Sequence, residues 1–319
     1  MPDLFRTAIS TKDIKGDFPR LDIRLPVLSI GSCFAANMVS KLSEHGFVAN
    51  DSLLGTVFNI SSITDQLSGD EKLFNPDYFV ERDGSLVSLM AHSNVFAQNT
   101  DSLETELKTR YQTLHQQLGK AQVLLLTLGS AWVYDEVETG ATVANCQKQP
   151  AKRFTKRLQS VEELYAIGEG LLKLLGERYP QLKVVFSVSP VRHIKDGFAE
   201  NMRSKAHLIT AVHQLCEAIN QSAAYFPAYE IIMDDLRDYR FYERDMLHPS
   251  TVAVDYIWQL FYELCVSDAD KVIAKNFNSL YTFLQHRTLV SDQNRAEKIQ
   301  QLAAKIPADL PALKLLNLT

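Results

Sequence analysis

Short apolar runs alternate along the chain with segments in which apolar residues recur every three or four positions. The runs at residues 26–30, 123–128 and 182–188 are β-rich and uninterrupted by polar residues over most of their length, which predicts buried strands. The first of these runs ends at Gly31. The run at 123–128 gives the clearest strand signal in the chain.

Between the predicted strands, the three-to-four spacing of apolar residues predicts amphipathic helices. Two of them begin at apparent capping boxes, formed by Asp101 with Glu104 and by Ser160 with Glu163. A further helix is predicted over residues 200–224.

The order of these elements predicts an α/β fold with a mainly parallel sheet covered by helices on both faces. A strand at 229–234 and a helix from about Ser250 complete the predicted body at residues 25–275, after an N-terminal extension at 1–24. Residues 276–319 keep helical periodicity without another strand, so a C-terminal helical appendage is predicted. In such sheets, ligands bind beyond the carboxyl ends of the strands.

Composition narrows the class of protein. The 319 residues carry a net charge of −5, with 46% hydrophobic and 22% charged residues, which is typical of a globular protein and gives no indication of a nucleic-acid partner. No apolar run reaches the roughly 18 residues of a membrane span, and the N-terminus lacks a signal-like apolar segment, so a cytoplasmic location is expected. The four cysteines have no metal-ligand spacing, and no metal site is expected.

The segment Gly31–Ala35 follows the first strand and begins the first helix. A thiol at Cys33 would then lie at a helix N-terminus, where the helix dipole and free N–H groups lower the pKa of a thiol. The same N–H groups would stabilise an oxyanion. The alternative is structural: Cys33 is a small core residue and Ser32 caps the helix.

A second group of chemically capable residues lies just before the last core helix. Asp245 and His248 are three residues apart, with Pro249 suited to the first helical turn. A carboxylate and an imidazole in one loop can form the orienting and proton-accepting half of a catalytic triad. An Asp-x-x-His spacing alone is weak, but together with the turn at Gly31 it favours a nucleophile, Asp, His order along the chain.

The run Gly31–Ala35 reads GSCFA, and the chain thereby resembles the GSCFA family, which is grouped with the SGNH/GDSL hydrolases. The resemblance covers about residues 25–265. Further segments that look like family blocks are residues 55–59, 127–132, 187–193, 225–230 and 245–248. The resemblance implies a flavodoxin-like, three-layer α/β sandwich and an esterase or acyltransferase activity.

The resemblance also implies a set of site residues. In the SGNH pattern the nucleophile lies two residues after the glycine, which favours Cys33 over Ser32, although the group normally has serine there. Gly55 matches a glycine that supplies an oxyanion N–H in that group, together with the N–H of Cys33. The asparagine expected in the third block is replaced by Ala131, so Asn59 or Ser130 is the candidate substitute.

Three further residues are candidates for substrate binding. Arg192 and His193 follow the predicted strand at 182–188, and Trp132 follows the strand at 123–128. An arginine there could hold a carboxylate or phosphate, and an aromatic ring could line an acyl or sugar pocket.

Two functions stay open at this point. One is an esterase or acyltransferase that forms an acyl-enzyme at Cys33 on a small-molecule, glycan or lipid ester. It would use no cofactor, apart from an acyl donor such as acyl-CoA. The other is a catalytically silent SGNH-like module that binds carbohydrate or lipid. Labelling at Cys33 that depends on His248 separates the two.

Overall fold

The computed structural model describes residues 9–218, 223–285 and 292–316. Within these ranges the strands are β1 (Val27–Gly31), β2 (Ala49–Asp51), β3 (Phe79–Arg82), β4 (Ser85–Ser88), β5 (Phe96–Ala97), β6 (Val123–Leu128), β7 (Trp132–Glu136), β8 (Thr142–Val143), β9 (Phe154–Leu158), β10 (Lys183–Val188) and β11 (Ala223–Phe226). The helices are α1 (Cys33–Glu44), α2 (Ile60–Ser68), α3 (Thr100–Leu118), α4 (Val161–Arg178), α5 (Phe198–Ala218), α6 (Ala228–Glu230), α7 (Thr251–Cys265), α8 (Asp268–Gln285) and α9 (Asp292–Ala303).

The main sheet has five parallel strands in the order β11-β10-β6-β1-β2. Counted along the chain within this sheet, the order is 2-1-3-4-5, which is the flavodoxin-like order. The predicted α/β class and its parallel sheet are therefore confirmed. The strand order reverses between β1 and β6, and in such sheets ligands bind at the carboxyl ends of the strands beside this reversal.

Helices cover both faces of the sheet, so the fold is a three-layer sandwich. Alternate residues of a strand point to opposite faces. In β6, Leu124 and Leu126 join the core under α2, α3, α4 and α5, whereas Val123 and Leu125 join the core under α1, α7 and α8. Because both faces are buried, the strand is apolar throughout rather than alternating, and this continuity made it easy to predict.

Two small antiparallel sheets accompany the main one. They have the orders β3-β4-β5 and β8-β7-β9, and neither was predicted. The second begins at Trp132, four residues after the end of β6, so it lies directly next to the carboxyl edge of the main sheet.

Two predicted elements near residue 225 were wrong. The last strand of the sheet is β11, which overlaps the end of the helix predicted over 200–224, and residues 219–222 lie outside the described ranges. The predicted strand at 229–234 is helical, with α6 followed by a π-helical turn at Ile231–Asp235. A short apolar run does not distinguish a strand from a buried helical turn, and Ile231 and Ile232 are fully buried here.

The two predicted capping boxes had different outcomes. At α4, the Ser160 side chain accepts from the Glu163 N–H and the Glu163 carboxylate accepts from the Ser160 N–H, as predicted. At α3, the cap is Asn99, whose side chain accepts from the Ser102 N–H. The box predicted there was therefore wrong, because a better cap residue lies two positions earlier.

The C-terminal part is helical, as predicted. The expected boundary at 275/276 lies inside α8, whose buried Phe277 packs against Gly46 behind the end of α1. Ile306 and Leu310 are also buried in the same core. In the described part of the chain, no helix combines the length and apolarity needed to cross a membrane.

Candidate active site

The turn after β1 can accommodate only glycine at position 31. Gly31 has φ +143°, and a Cβ built on it would lie 2.1 Å from the carbonyl oxygen of Thr127 on β6. The next N–H, that of Ser32, donates to the same carbonyl at 3.0 Å. The close approach of the two strands therefore fixes where the first helix starts.

Ser32 and Cys33 occupy different environments in this turn. Ser32 is 2% exposed, and its hydroxyl donates to the hydroxyl of Ser189 at 2.8 Å instead of capping α1. Cys33 is the first residue of α1 and is half-buried. Of the two candidate nucleophiles, Cys33 is therefore the accessible one.

The electrostatics of the Cys33 thiol combine opposing effects. Burial is the largest and raises the pKa of Cys33 above its ordinary value. Hydrogen bonds from the N–H groups of Cys33 and Phe34 and the charge of Lys205 act the other way, and the charge of Asp245 raises the pKa further. The expected lowering of the thiol pKa was therefore wrong in its net direction, because desolvation outweighs the helix N-terminus. A neutral thiol needs a base to react.

Asp245 and His248 form a hydrogen-bonded pair. The Nδ1 atom of His248 lies 2.6 Å from an Asp245 carboxylate oxygen, and the other oxygen accepts from the N–H groups of Leu247 and His248 at 2.8 and 3.0 Å. Donors to the carboxylate lower the pKa of Asp245 to about 2. With Nδ1–H donated to the carboxylate, Nε2 of His248 is the atom that can accept a proton.

The loop that carries this pair is attached to the segment after β10. The N–H of Arg192 donates to the Leu247 carbonyl at 3.1 Å, its guanidinium donates to the Met246 carbonyl at 3.4 Å, and it lies 5.5 Å from the centre of the Tyr242 ring. Arg192 therefore helps to hold the loop, and its predicted contact with substrate stays a prediction.

The loop lies close enough to β1 for the charge of Asp245 to act on the Cys33 thiol. In the part of the chain that the structure describes, no hydrogen bond joins that thiol to His248. A looser approach is common in unliganded sites, where catalytic hydrogen bonds tighten only with substrate bound.

The candidate oxyanion donors differ in their availability. The N–H of Cys33 faces the Cys33 sulfur. The N–H of Gly55 is donated to the Ser52 carbonyl at 3.0 Å, and the N–H of Ser130 to the Phe58 carbonyl at 3.0 Å. Asn59 caps α2 through its side-chain oxygen, which accepts from the Ser62 N–H at 2.8 Å. This bond leaves the amide nitrogen of Asn59 as its remaining donor.

A cleft of about 310 Å³ is lined by four of the predicted residues, Asn59, Ser130, Trp132 and His193. The indole N–H of Trp132 donates to the Glu200 carbonyl, and the Lys156 ammonium lies 4.7 Å from the centre of the Trp132 ring. Aromatic, amide and charged groups therefore line the cleft together.

His193 connects this cleft with the Asp245–His248 loop. Its ring packs edge-on against Phe58, and its buried Nε2 has no hydrogen-bond partner among the described residues. Burial, followed by the positive charges of Lys205 and His248, lowers the pKa of His193 to about 4. His193 is therefore neutral at physiological pH.

Lys205 is the residue of this region that sequence reasoning missed. Its side chain is fully buried, and its Nζ donates to the carbonyls of Gly129 at 2.7 Å and Ser189 at 2.8 Å. The available signal was its position on the apolar stripe of α5, in line with Leu208 and Val212.

Among the residues that the structure describes, no three His, Cys, Asp or Glu side chains are grouped so that they could hold a metal ion. The arrangement offers instead a thiol, backbone N–H donors and a carboxylate–imidazole pair.

Comparison with known proteins returns a family model and several solved structures. A model of the GSCFA family matches residues 26–261. Among solved structures, a protein described as a GDSL-like lipase from Parabacteroides merdae ATCC 43184 is 11% identical with a TM-score of 0.40, covering 78% of this chain and 98% of its own. A carbohydrate esterase family 3 protein from Talaromyces cellulolyticus is 7% identical with a TM-score of 0.31, covering 74% and 94%. A search of the curated proteins finds no match.

Proposed function

The chain belongs to the GSCFA family, and on that premise we propose that it is an ester-cleaving or acyl-transferring enzyme that works through a thioester at Cys33. His248 is the general base and acid, and Asp245 orients it. The proposal covers an ester or thioester substrate of small-molecule, glycan or lipid type and needs no metal or bound cofactor.

One observation carries this proposal: the half-buried Cys33 follows the carboxyl end of β1, beside the reversal of strand order, where its thiol feels the charge of Asp245, the partner of His248. The neutral state of the thiol fits a mechanism in which an adjacent base removes the proton during attack. The burial of Ser32 and the engagement of its hydroxyl with Ser189 favour Cys33 over Ser32 as nucleophile.

In the proposed first half-reaction, Nε2 of His248 takes the thiol proton while the sulfur forms a bond to the substrate carbonyl carbon. The carbonyl π electrons move to oxygen, and the N–H groups at the start of α1 stabilise the resulting oxyanion. Collapse of this intermediate expels the alcohol or thiol, which takes the proton back from His248. The product of the half-reaction is an acyl-thioester at Cys33.

In the second half-reaction, His248 deprotonates water or another acceptor, which attacks the thioester carbonyl. The C–S bond breaks, and the leaving Cys33 sulfur takes the proton back from His248. Water gives hydrolysis, and a hydroxyl or amine gives transfer. The acyl or alcohol portion of the substrate would occupy the cleft beside Asn59, Ser130, Trp132 and His193. In this arrangement the amide nitrogen of Asn59 is the proposed replacement for the donor missing at Ala131.

The test is intact-mass spectrometry after incubation with an activated acetate ester. We expect one acetyl group on the wild-type protein and on Ser32→Ala, none on Cys33→Ala, and strongly slowed labelling in His248→Ala. Cys216→Ala, which removes a half-buried thiol of α5, is the matched control and should be labelled like the wild type.

Three results would overturn the assignment: an adduct that persists in Cys33→Ala, one that disappears in Ser32→Ala alone, or labelling of Cys33 that does not depend on His248. Absence of an adduct in every variant, together with no ester turnover, would support the silent binding module instead. Release of acetate or its appearance on an added alcohol distinguishes hydrolysis from transfer.

A further inference from the structure

Lys205 is a buried charge that the proposed reaction does not yet use. It lies on α5 and is fully buried, in line with the apolar residues Leu208 and Val212. A lysine without solvent normally needs a compensating anion or loses its proton. The groups around Lys205 therefore determine whether its ammonium form is stable.

The ammonium nitrogen joins the ends of two central strands. It donates to the carbonyl of Gly129, directly after β6, and to that of Ser189, directly after β10. Ser189 in turn accepts a hydrogen bond from Ser32, the residue before Cys33. A short chain of contacts thus leads from Lys205 to the nucleophile turn, residues 31–33.

No carboxylate forms an ion pair with Lys205 in the described part of the chain. The other groups that face it are the Tyr229 ring, whose centre is 5.5 Å away, and His193, which is neutral at physiological pH. Burial lowers the pKa of Lys205 to about 7, and the charge of an ionised Cys33 raises it. The anion that favours the ammonium form is therefore the thiolate.

The same coupling acts on the thiol. The Lys205 charge lowers the pKa of Cys33, while the charge of Asp245, from the loop on the other side, raises it. Within a low-dielectric interior, such interactions reach further than hydrogen-bond contact.

We propose that Lys205 is a positioning residue for Cys33: it ties the ends of β6 and β10 to the nucleophile turn and, as an ammonium ion, offsets the negative charge that forms on the Cys33 sulfur. This inference rests on one part of the proposed function, namely that Cys33 is the reacting group. It adds a cation from α5 to the machinery formed by α1 and the Asp245–His248 loop.

The test is the pH dependence of Cys33 alkylation by iodoacetamide, followed by peptide mass spectrometry. Because the pKa of Lys205 is about 7, its charge is present at pH 6 and largely lost above pH 8. In Lys205→Met and Lys205→Gln, we therefore expect alkylation at pH 6 to slow about tenfold, and the difference from the wild type to shrink above pH 8. Lys205→Arg keeps a positive charge and should alkylate near the wild-type rate at pH 6. Lys173→Met, at an exposed position of α4, should not change it.

The glutamine variant separates charge from structure, because it keeps an N–H donor for the strand-end carbonyls but loses the charge. A wild-type alkylation rate at pH 6 in Lys205→Gln would overturn the proposal, as would an equal slowing in Lys205→Arg. If Lys205→Met fails to fold, the comparison of Gln with Arg decides. Alkylation does not need ester turnover, so a shifted profile in an enzyme without esterase activity would overturn the proposed function and leave this inference standing.

Discussion

The nucleophile turn, residues 31–33, and the base loop, residues 245–248, are held in place in opposite ways. The turn is fixed by distant parts of the chain, since Gly31 and Ser32 contact Thr127 and Ser32 is bonded to Ser189. The base loop is held mainly by itself: the Asp245 carboxylate accepts three hydrogen bonds from within three residues.

The nucleophile turn and the base loop also differ in how far their side chains are exposed to solvent. Ser32 is 2% exposed, whereas the side chains of Asp245 and His248 are 45% and 46% exposed. Burial keeps the thiol protonated, and access to solvent lets the imidazole exchange protons. The contrast indicates that the sheet supplies the position of the nucleophile, while local sequence supplies the orientation of the base.

The largest effect is expected from breaking the base loop. In Asp245→Asn, an amide replaces the acceptor of the Nδ1–H and no longer fixes the tautomer of His248, so ester turnover should fall about 10³- to 10⁴-fold by analogy with Ser-His-Asp sites. The measurement is kcat/KM with an activated ester. Glu243→Gln, an exposed change in the same region, is the control and should stay within twofold.

A loss below tenfold in Asp245→Asn would show that the carboxylate does not orient the base. Because its hydrogen bonds keep the pKa of Asp245 at about 2, the carboxylate stays ionised at mildly acidic pH. Any decline in the activity of the wild type between pH 5 and 7 must then come from another group.

The next effect is expected from breaking the nucleophile turn. Gly31→Ala forces a Cβ to within 2.1 Å of the Thr127 carbonyl oxygen at a φ of +143°, so the backbone must move. The free energy of unfolding should fall by about 3 kcal/mol or more, combining backbone strain with overpacking. Urea denaturation measures this change.

Gly170→Ala is the control for this prediction. Gly170 lies in α4 with open space around it, so alanine should leave stability unchanged or raise it by about 0.5–1 kcal/mol. Equal stabilities of the two variants would contradict the view that the turn is fixed by the sheet.

The smallest effect concerns His193, which lies between the two regions. Its pKa is about 4 in the fold and near 6.5 as an ordinary histidine, so the unfolded chain binds this proton first as the pH falls. The associated stability is fully present above pH 6.5 and is lost between about 6.5 and 4, with about 2 kcal/mol lost by pH 5.

In His193→Gln this part of the pH dependence should disappear, and urea denaturation at pH 7, 6 and 5 would detect the flatter slope. An unchanged slope would show that His193 is not held neutral by the groups around it.

The same contrast explains what could be predicted from sequence. The strand β6 was predicted at its observed bounds, because a strand covered on both faces is apolar at every position. The Asp245–His248 pair could be recognised because its geometry is local. The flavodoxin-like fold was implied by a family resemblance, and the observed 2-1-3-4-5 strand order confirms it.

Other features depend on contacts that no local pattern encodes. Lys205 reaches a carbonyl 76 residues away, and a charged residue on a helix usually faces solvent, so its burial could not be foreseen. The strands β5 and β8 have two residues each, too few for any periodicity. At α3, two polar residues competed as caps, and pattern alone did not choose Asn99.

The packing of Phe277 on Gly46 bears on where the chain can be shortened. A Cβ at Gly46 would lie 2.7 Å from the Phe277 ring, so the aromatic side chain rests directly against the backbone that follows α1. Truncation at residue 275 would leave a phenyl-sized void behind the helix whose opposite end carries Cys33. A protein trimmed to its apparent α/β body would thus lose core packing at the C-terminal end of α1, the helix that begins at Cys33.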